Sequence, residues 1–264
     1  MNYSTGPPLE FVMRSPRLSK PKRTKRSSGL FITFEGPEGS GKTTQCQLLA
    51  RWLRTNGHSV VITREPGGTP LAEAIRQLLL TQQAFSKKQE KRESVTPSCE
   101  AALVLAARAQ HVTHIILPAL QQGRIVLCDR FFDSTLAYQG FGRGLNRQAL
   151  TRFNEFVTDG LTPTMTFLLD LPVKEGLQRR KASSHQNRMD QETLAFHERV
   201  RRGFTTLARQ DPNRWRTLDA RQPPEVLAED IITHIQPLVK KLASKRKNMA
   251  TLRRRITKPM GARP

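Results

Sequence analysis

Between residues 30 and 240 two kinds of apolar pattern alternate along the chain. Short continuous runs rich in β-branched and aromatic residues read as buried strands: Leu30–Phe34, Ser59–Thr63, Arg124–Cys128, Met165–Asp170 and Arg214–Leu218. The stretches between them carry helical spacing. Thr44–Asn56 sets Leu48, Leu49, Trp52 and Leu53 on one side and stops at Gly57. Thr69 caps a helix with Pro70 in its first turn and Leu71, Ile75, Leu78 and Leu79 along it. Pro97–Gln121 predicts one long apolar helix, kinked near Pro118 and ended by Gly123. Further helices are expected over Leu145–Thr158, Pro172–Lys181, Asp190–Arg209 and Pro223–Leu242. The last has Val226, Leu227, Ile231, Ile235, Leu238 and Leu242 in one stripe. Residues 81–98 are polar and charged and read as a mobile connection. Strands that alternate with helices predict an α/β domain: a parallel five-stranded sheet with helices on both faces. Such sheets bind ligands beyond the carboxyl ends of their strands. Here those ends carry Glu35 and Gly36, Arg64, Asp129 and Arg130, and Asp170.

Composition adds tails to this domain. The net charge of +22 is concentrated at the two ends of the chain. Residues 1–30 hold seven Lys/Arg against one acid, Glu10, and residues 240–264 hold ten with no acid. Segments 1–29 and 241–264 are therefore expected to be basic disordered tails outside a domain at 30–240. They suit loose nucleic-acid binding through phosphates, or are solvated extensions without a role. Cys46, Cys99 and Cys128 have no metal-ligand spacing and point to a reducing, cytoplasmic setting. No run of about eighteen apolar residues and no apolar leader is present, so neither a membrane span nor a secretory signal is expected.

The candidate chemistry starts at Gly36-Pro37-Glu38-Gly39-Ser40-Gly41-Lys42-Thr43, which fits G-x-x-x-x-G-K-[ST]. A strand precedes it and a helix begins at Thr44, so backbone N–H groups surround an anion there. Lys42 would reach the β/γ-phosphates of a nucleoside triphosphate, and the Thr43 hydroxyl would hold Mg²⁺. Asp129, at the end of an apolar strand, is either a second Mg²⁺ carboxylate or a structural ion-pair partner. It is followed by Arg130 rather than by a second acid. A guanidinium at that place suits a second phosphorylated substrate better than hydrolysis. Arg64 ends its strand in the same way. Arg108 lies in an alanine-rich helix, where a buried guanidinium needs either an internal carboxylate or a ligand. Glu38 puts a carboxylate among phosphates, where it could accept a sugar hydroxyl or sit near Mg²⁺. Arg179, Arg180, Lys181 and Arg188 flank Ala182-Ser183-Ser184, as in a basic lid or a solvated helix end.

Taken in order, Phe34–Gln45, Thr63–Thr69, Ala106–Gln110, Asp129–Phe131 and Ser134–Gly140 resemble the thymidylate kinase family, the ATP:dTMP phosphotransferases, over residues 30–240. The resemblance implies a P-loop kinase fold, ATP and Mg²⁺ as cofactors, dTMP as substrate and a homodimer. It implies that Arg64 and Arg130 surround the acceptor phosphate, with Asp129 in the metal and phosphate network. Arg76 and Arg108 stand on the dTMP side, Arg108 facing the base, and Ser134, Thr135, Tyr138 and Gln139 contact base and sugar. Gly39 stands where one branch of the family has an arginine. Its absence resembles the bacterial branch, whose catalytic arginine is in the lid, here about residues 179–190 with Arg180, Lys181 and Arg188. Two positions depart from the pattern. Val104 replaces an aromatic that stacks on thymine, and Asn187 replaces an acid before Arg188. An altered base preference is therefore a second reading. A nucleic-acid-associated ATPase is a third and ranks last, because an acidic pair and an aromatic-rich surface are absent.

Overall fold

Five parallel strands form one sheet in the order β2-β3-β1-β4-β5, and a helix follows each of them. The computed structural model describes residues 29–80, 94–181 and 187–256, with side chains as far as Ser244. The strands are β1 (Leu30–Glu35), β2 (Val60–Arg64), β3 (Ile125–Asp129), β4 (Met165–Asp170) and β5 (Trp215–Asp219). Around them lie α1 (Lys42–Thr55), α2 (Pro70–Leu80), α3 (Pro97–His111), α4 (Leu117–Gln121), α5 (Phe132–Thr135), α6 (Arg147–Thr158), α7 (Val173–Lys181), α8 (Leu194–Gln210) and α9 (Pro224–Ile256). The expected α/β class, parallel sheet and five strands are all present.

Strand alternation builds two cores. Leu30, Ile32 and Phe34 face α1 and α9, meeting Leu49, Leu53, Leu227, Ile231 and Ile235. Phe31, Val126 and Cys128 face the other way, onto Val112, Ile116 and Leu120. A third cluster joins Leu168 and Trp215 to Phe196, Val200 and Phe204 of α8. Strand order reverses about β1, so the crevice beyond its carboxyl end is the expected ligand position.

Three local features were not legible in the pattern. The kink expected near Pro118 is a π turn, Val112–Ile116, in which the Leu117 N–H donates to the Val112 carbonyl. Pro118 has no N–H and its ring crowds the carbonyl of His114, so widening the preceding turn accommodates it. The run from Phe132 to Gly142 is helical, with α5 passing into a π segment, Leu136–Gly142. Its glycines disguise it. A Cβ on Gly142 would stand 2.7 Å from the Phe196 ring, so glycine lets α8 close on this segment. Residues 94–96 lead directly into α3, whose cap is Thr96, while 81–93 of the expected mobile connection lie outside the described residues.

The expected disordered segment 241–264 is corrected over residues 241–256, and residues 257–264 lie outside the described residues. Helix α9 runs through to Ile256, Leu242 is buried, and Lys, Arg, Ala, Leu and Met are good helix formers. The N-terminal tail, residues 1–28, lies outside the described residues. Pro97–Gln121 is long and apolar enough to cross a membrane, at a mean hydropathy of 1.3, but it is a core layer of the domain. It packs on α2 and α6 and buries Glu100, Arg108 and His111.

Candidate active site

The loop after β1 wraps a buried ammonium. Lys42 Nζ donates to the Pro37 carbonyl at 2.8 Å, the Gly36 carbonyl at 3.2 Å and Ser40 Oγ at 3.2 Å. Burial, helped by Arg130, lowers its pKa to about 8 against the pull of Glu38 and Asp129. Helix α1 starts here at Gly41 without a side-chain cap and without an acid in its first turn, so its positive end faces the loop. Thr43 Oγ1 donates to Asp129 Oδ2, joining the two oxygen ligands expected from the sequence. Gly39 has φ +72°, and a Cβ there would lie 2.2 Å from the Gly176 carbonyl. The loop and α7 thus touch backbone to backbone, and the position has no room for an arginine.

Beside the loop, Arg130 adopts φ 70°, a left-handed conformation that non-glycine residues seldom take. This turns its guanidinium back over the loop. It donates to the Gly36 carbonyl at 3.0 Å and to Glu38 Oε1 at 2.9 Å, and lies 5.0 Å from the Tyr138 ring centre. The Tyr138 hydroxyl donates to the same Glu38 oxygen at 2.8 Å. Burial alone would raise the Glu38 carboxyl, but Arg130, Lys42 and Tyr138 outweigh it and hold it at about 2. Behind them Glu35 accepts from the Phe131 N–H at 2.7 Å and from Ser134 Oγ at 2.6 Å. Burial, reinforced by Asp133, pushes Glu35 up to about 8 despite Arg130 and these donors.

A cavity opens from Arg130 and Glu38 toward α2, α3 and the segment after residue 186. Arg76 lines it and donates to the Pro66 carbonyl at 3.0 Å. Arg108 lines it too, but most of its donors are spent inside the protein. Nε donates to Glu65 at 2.7 Å, Nη1 to Thr135 at 2.7 Å and Asn154 at 2.6 Å, and Nη2 to the Phe131 carbonyl at 3.0 Å. One Nη2 hydrogen is left for the cavity. Glu65 also accepts from His111 Nδ1 at 2.9 Å, so the internal carboxylate that Arg108 required is Glu65.

Comparison with known proteins decides the family. A family model for thymidylate kinase matches residues 34–231. The thymidylate kinase of Thermomicrobium roseum is 52% identical over 212 residues, covering 80% of this chain and 96% of that one. The chain belongs to the thymidylate kinase family. A Pseudomonas putida thymidylate kinase is 49% identical over 204 residues, covering 77% of this chain and 93% of its own. Among solved structures, the thymidylate kinase from Ehrlichia chaffeensis matches with a TM-score of 0.59 and 35% identity, over 78% of this chain and 98% of that one. The P-loop kinase fold and the nucleoside monophosphate kinase class follow from this membership.

Most residues singled out from the thymidylate kinase resemblance meet in one place. Glu38, Arg76, Val104, Arg108, Arg130, Ser134, Thr135, Tyr138, Gln139 and Arg188 all line the cavity, and Lys42, Thr43 and Asp129 adjoin it. Arg64 does not line it: the side chain is 46% exposed and pairs with Glu73 at 2.8 Å. Lys181 is an exposed end of α7. Arg180 is held by both oxygens of Asp190, at 3.0 and 2.8 Å, while residues 182–186 of the lid lie outside the described residues. Asn187 caps a short 3-10 turn, Arg188–Gln191, in a reciprocal box with Asp190, a role asparagine fills as well as aspartate. Sequence reasoning missed Glu65, Glu100 and Asn154. Glu100 had a signal: it is the one acid of α3 and lies two turns before Arg108, on the same face.

Proposed function

We propose that the protein transfers the γ-phosphoryl group of ATP to dTMP, giving dTDP and ADP for dTTP synthesis. The observation that carries this reading is the adjacency of two sites through one residue: Arg130 bonds both the P-loop carbonyl of Gly36 and the cavity carboxylate of Glu38. A guanidinium so placed lies between a triphosphate on the loop and a monophosphate in the cavity. Lys42 and the first N–H groups of α1 hold the donor phosphates. Arg130 and Arg76 hold the acceptor phosphate, and Tyr138, Glu38, Thr135, Gln139 and Arg108 face sugar and base. The basic lid residues Arg180 and Lys181 supply charge from above, while Arg188 at the lid's far end is engaged by Glu100. No covalent enzyme intermediate is needed, since positioning and charge neutralisation carry phosphoryl transfer.

Mg²⁺ fits this site. The touching hydroxyl of Thr43 and carboxylate of Asp129 are hard oxygen ligands, and among the described residues no group of three His, Cys, Asp or Glu forms a cage. Such a site leaves the other positions to phosphate oxygens and water. When bound, the ion neutralises charge on the phosphates.

The test is a nucleotide panel: ADP release from ATP–Mg²⁺ with dTMP, dUMP, dCMP or dGMP and no nucleic acid. dTMP is expected to be turned over fastest. ATP consumption that ignores the nucleotide, or that needs nucleic acid, would overturn the reading.

Homodimerisation through the α2/α3/α6 layer belongs to the same proposal. Phe153 and Phe156 of α6 are 57% and 80% exposed, and Leu71 and Leu78 of α2 are 54% and 45% exposed. Between these helices α3 presents small exposed residues, Ala102 and Ala106. A two-fold contact that covers this surface suits the family. Salt-sensitive binding of nucleic acid by the basic ends is proposed alongside it. The three free thiols suit a reducing cytoplasm.

A further inference from the structure

Glu100 is buried in α3, with a side chain only 3% exposed, yet the phosphate machinery does not touch it. It is the meeting point of three elements. Gln139 Nε2 donates to Glu100 Oε1 at 2.8 Å. Arg143 donates to both oxygens, at 3.2 and 3.0 Å. Arg188, at the far end of the lid, donates to Oε2 at 2.6 Å and to the Leu79 carbonyl at 2.9 Å. Arg143 is itself fixed, by Glu192 and by the Phe196 ring 4.5 Å away.

We propose that Glu100 is a positioning residue: it fixes the Gln139 carboxamide with its carbonyl oxygen toward the cavity, and so selects a base that carries a ring N–H. The argument is one of donors and acceptors. The two ends of a carboxamide have nearly the same shape, and only hydrogen bonding decides which faces where. An ionised carboxylate accepts and never donates, so the end of Gln139 against Glu100 must be the NH₂ group. Burial alone would favour a protonated Glu100, but the bonds from Arg143, Gln139 and Arg188 outweigh it and hold its pKa below the ordinary carboxylate value. The opposite end, Oε1, has no donor among the described residues, and Gln139 lines the cavity. The cavity therefore meets an acceptor. Thymine and uracil offer N3–H to it, whereas cytosine offers a bare N3 and two lone pairs would oppose each other. Arg108 supports the same choice, because its remaining hydrogen suits the O4 carbonyl and not an amino group. Arg188 ties the lid's far end to the same carboxylate, so the arginine expected from sequence to be catalytic is engaged on the base side.

The inference rests on the dTMP kinase reading and is tested apart from it. Measure kcat and KM for dTMP, dUMP and dCMP in the wild type, in Glu100→Gln and in Glu100→Asp. Glutamine can donate as well as accept and releases the lock. Glu100→Gln is expected to lower the dTMP/dCMP ratio of kcat/KM about tenfold or more, through KM more than kcat. Glu100→Asp, still acceptor-only, is expected to keep the ratio near that of the wild type. A Glu100→Gln protein that loses rate equally on all three nucleotides shows a merely structural residue and overturns the proposal. A wild type that does not phosphorylate dTMP overturns the kinase reading instead. If Glu100→Gln does not fold, the wild type decides. The side-chain amide signals of Gln139, identified by their loss in Gln139→Glu, should exchange slowly with and without dTMP. Protection that appears only with dTMP would put the amide on the base and end the proposal.

Discussion

Replacing Arg108 by methionine separates what the guanidinium does for the fold from what it does for a ligand. Arg108 is 1% exposed and gives four hydrogen bonds, one of them to Glu65, whose side chain is 3% exposed. Methionine fills similar space but leaves Glu65 charged, buried and short of a partner, with only His111 still on it. Breaking a buried pair from one side costs about 3–5 kcal/mol. For a domain of this size each kcal/mol lowers Tm by about 2–4 °C, so a fall of about 6–20 °C is expected. The pH dependence has a definite sign. Burial raises the Glu65 carboxyl, and Arg108 and His111 outweigh burial, so the folded pKa lies below the ordinary value. In the wild type that contribution is present above the ordinary carboxylate range and is lost as pH falls through the folded value. Without Arg108 burial wins, the folded pKa moves above the ordinary value, and the variant is penalised as pH rises. The stability gap should therefore be wide near about pH 8 and narrow near about pH 4. Adding Glu65→Gln to Arg108→Met should recover part of the loss, because it removes the stranded charge. Thermal and urea unfolding of the wild type, Arg108→Met, Glu65→Gln and the double variant at both pH values tests this. An Arg108→Met protein within about 1 kcal/mol of wild type, or a gap that widens in acid, would refute the assignment of Glu65 as its partner.

Three further outcomes follow from the site. Lys42→Ala should fold normally and lose kcat by about a thousandfold or more, since its charge is needed most in the transition state; near-normal turnover of a folded variant would dismiss the P-loop assignment. Gly39→Ala drives a Cβ to 2.2 Å from the Gly176 carbonyl and should weaken ATP binding and turnover while leaving the sheet intact by circular dichroism; unchanged kinetics would mean that the loop and α7 do not touch there. Val104→Phe, in the cavity wall, should lower KM for dTMP several-fold with a smaller change in kcat, as stacking adds about 1 kcal/mol in ground and transition states alike. A stable variant with both constants unchanged would show that residue 104 does not face the base.

Sheet and phosphate loop were legible in the linear sequence because both are local. A five- or six-residue apolar run is a buried strand whatever lies beside it, and Gly36 to Thr43 carries its own conformational demands. The resemblance then named the cavity residues. What the sequence left open was partnership. Arg108 could have served a carboxylate or a ligand, and only the packing of α3 against β2 brought Glu65 to it. Arg64 and Arg130 looked alike as strand-end arginines, yet Arg64 turns to Glu73 on its own side, while a left-handed backbone turns Arg130 over the loop. Arg188 read as a catalytic charge until tertiary contact engaged it with Glu100, 88 residues away. The helix at Phe132–Gly142 was hidden by glycines whose purpose, admitting α6 at Gly140 and α8 at Gly142, exists only once those helices are packed. Periodicity and loop chemistry depend on neighbours in sequence. Which buried charge meets which acceptor depends on neighbours in space, because desolvated groups must pair with whatever the fold brings within reach.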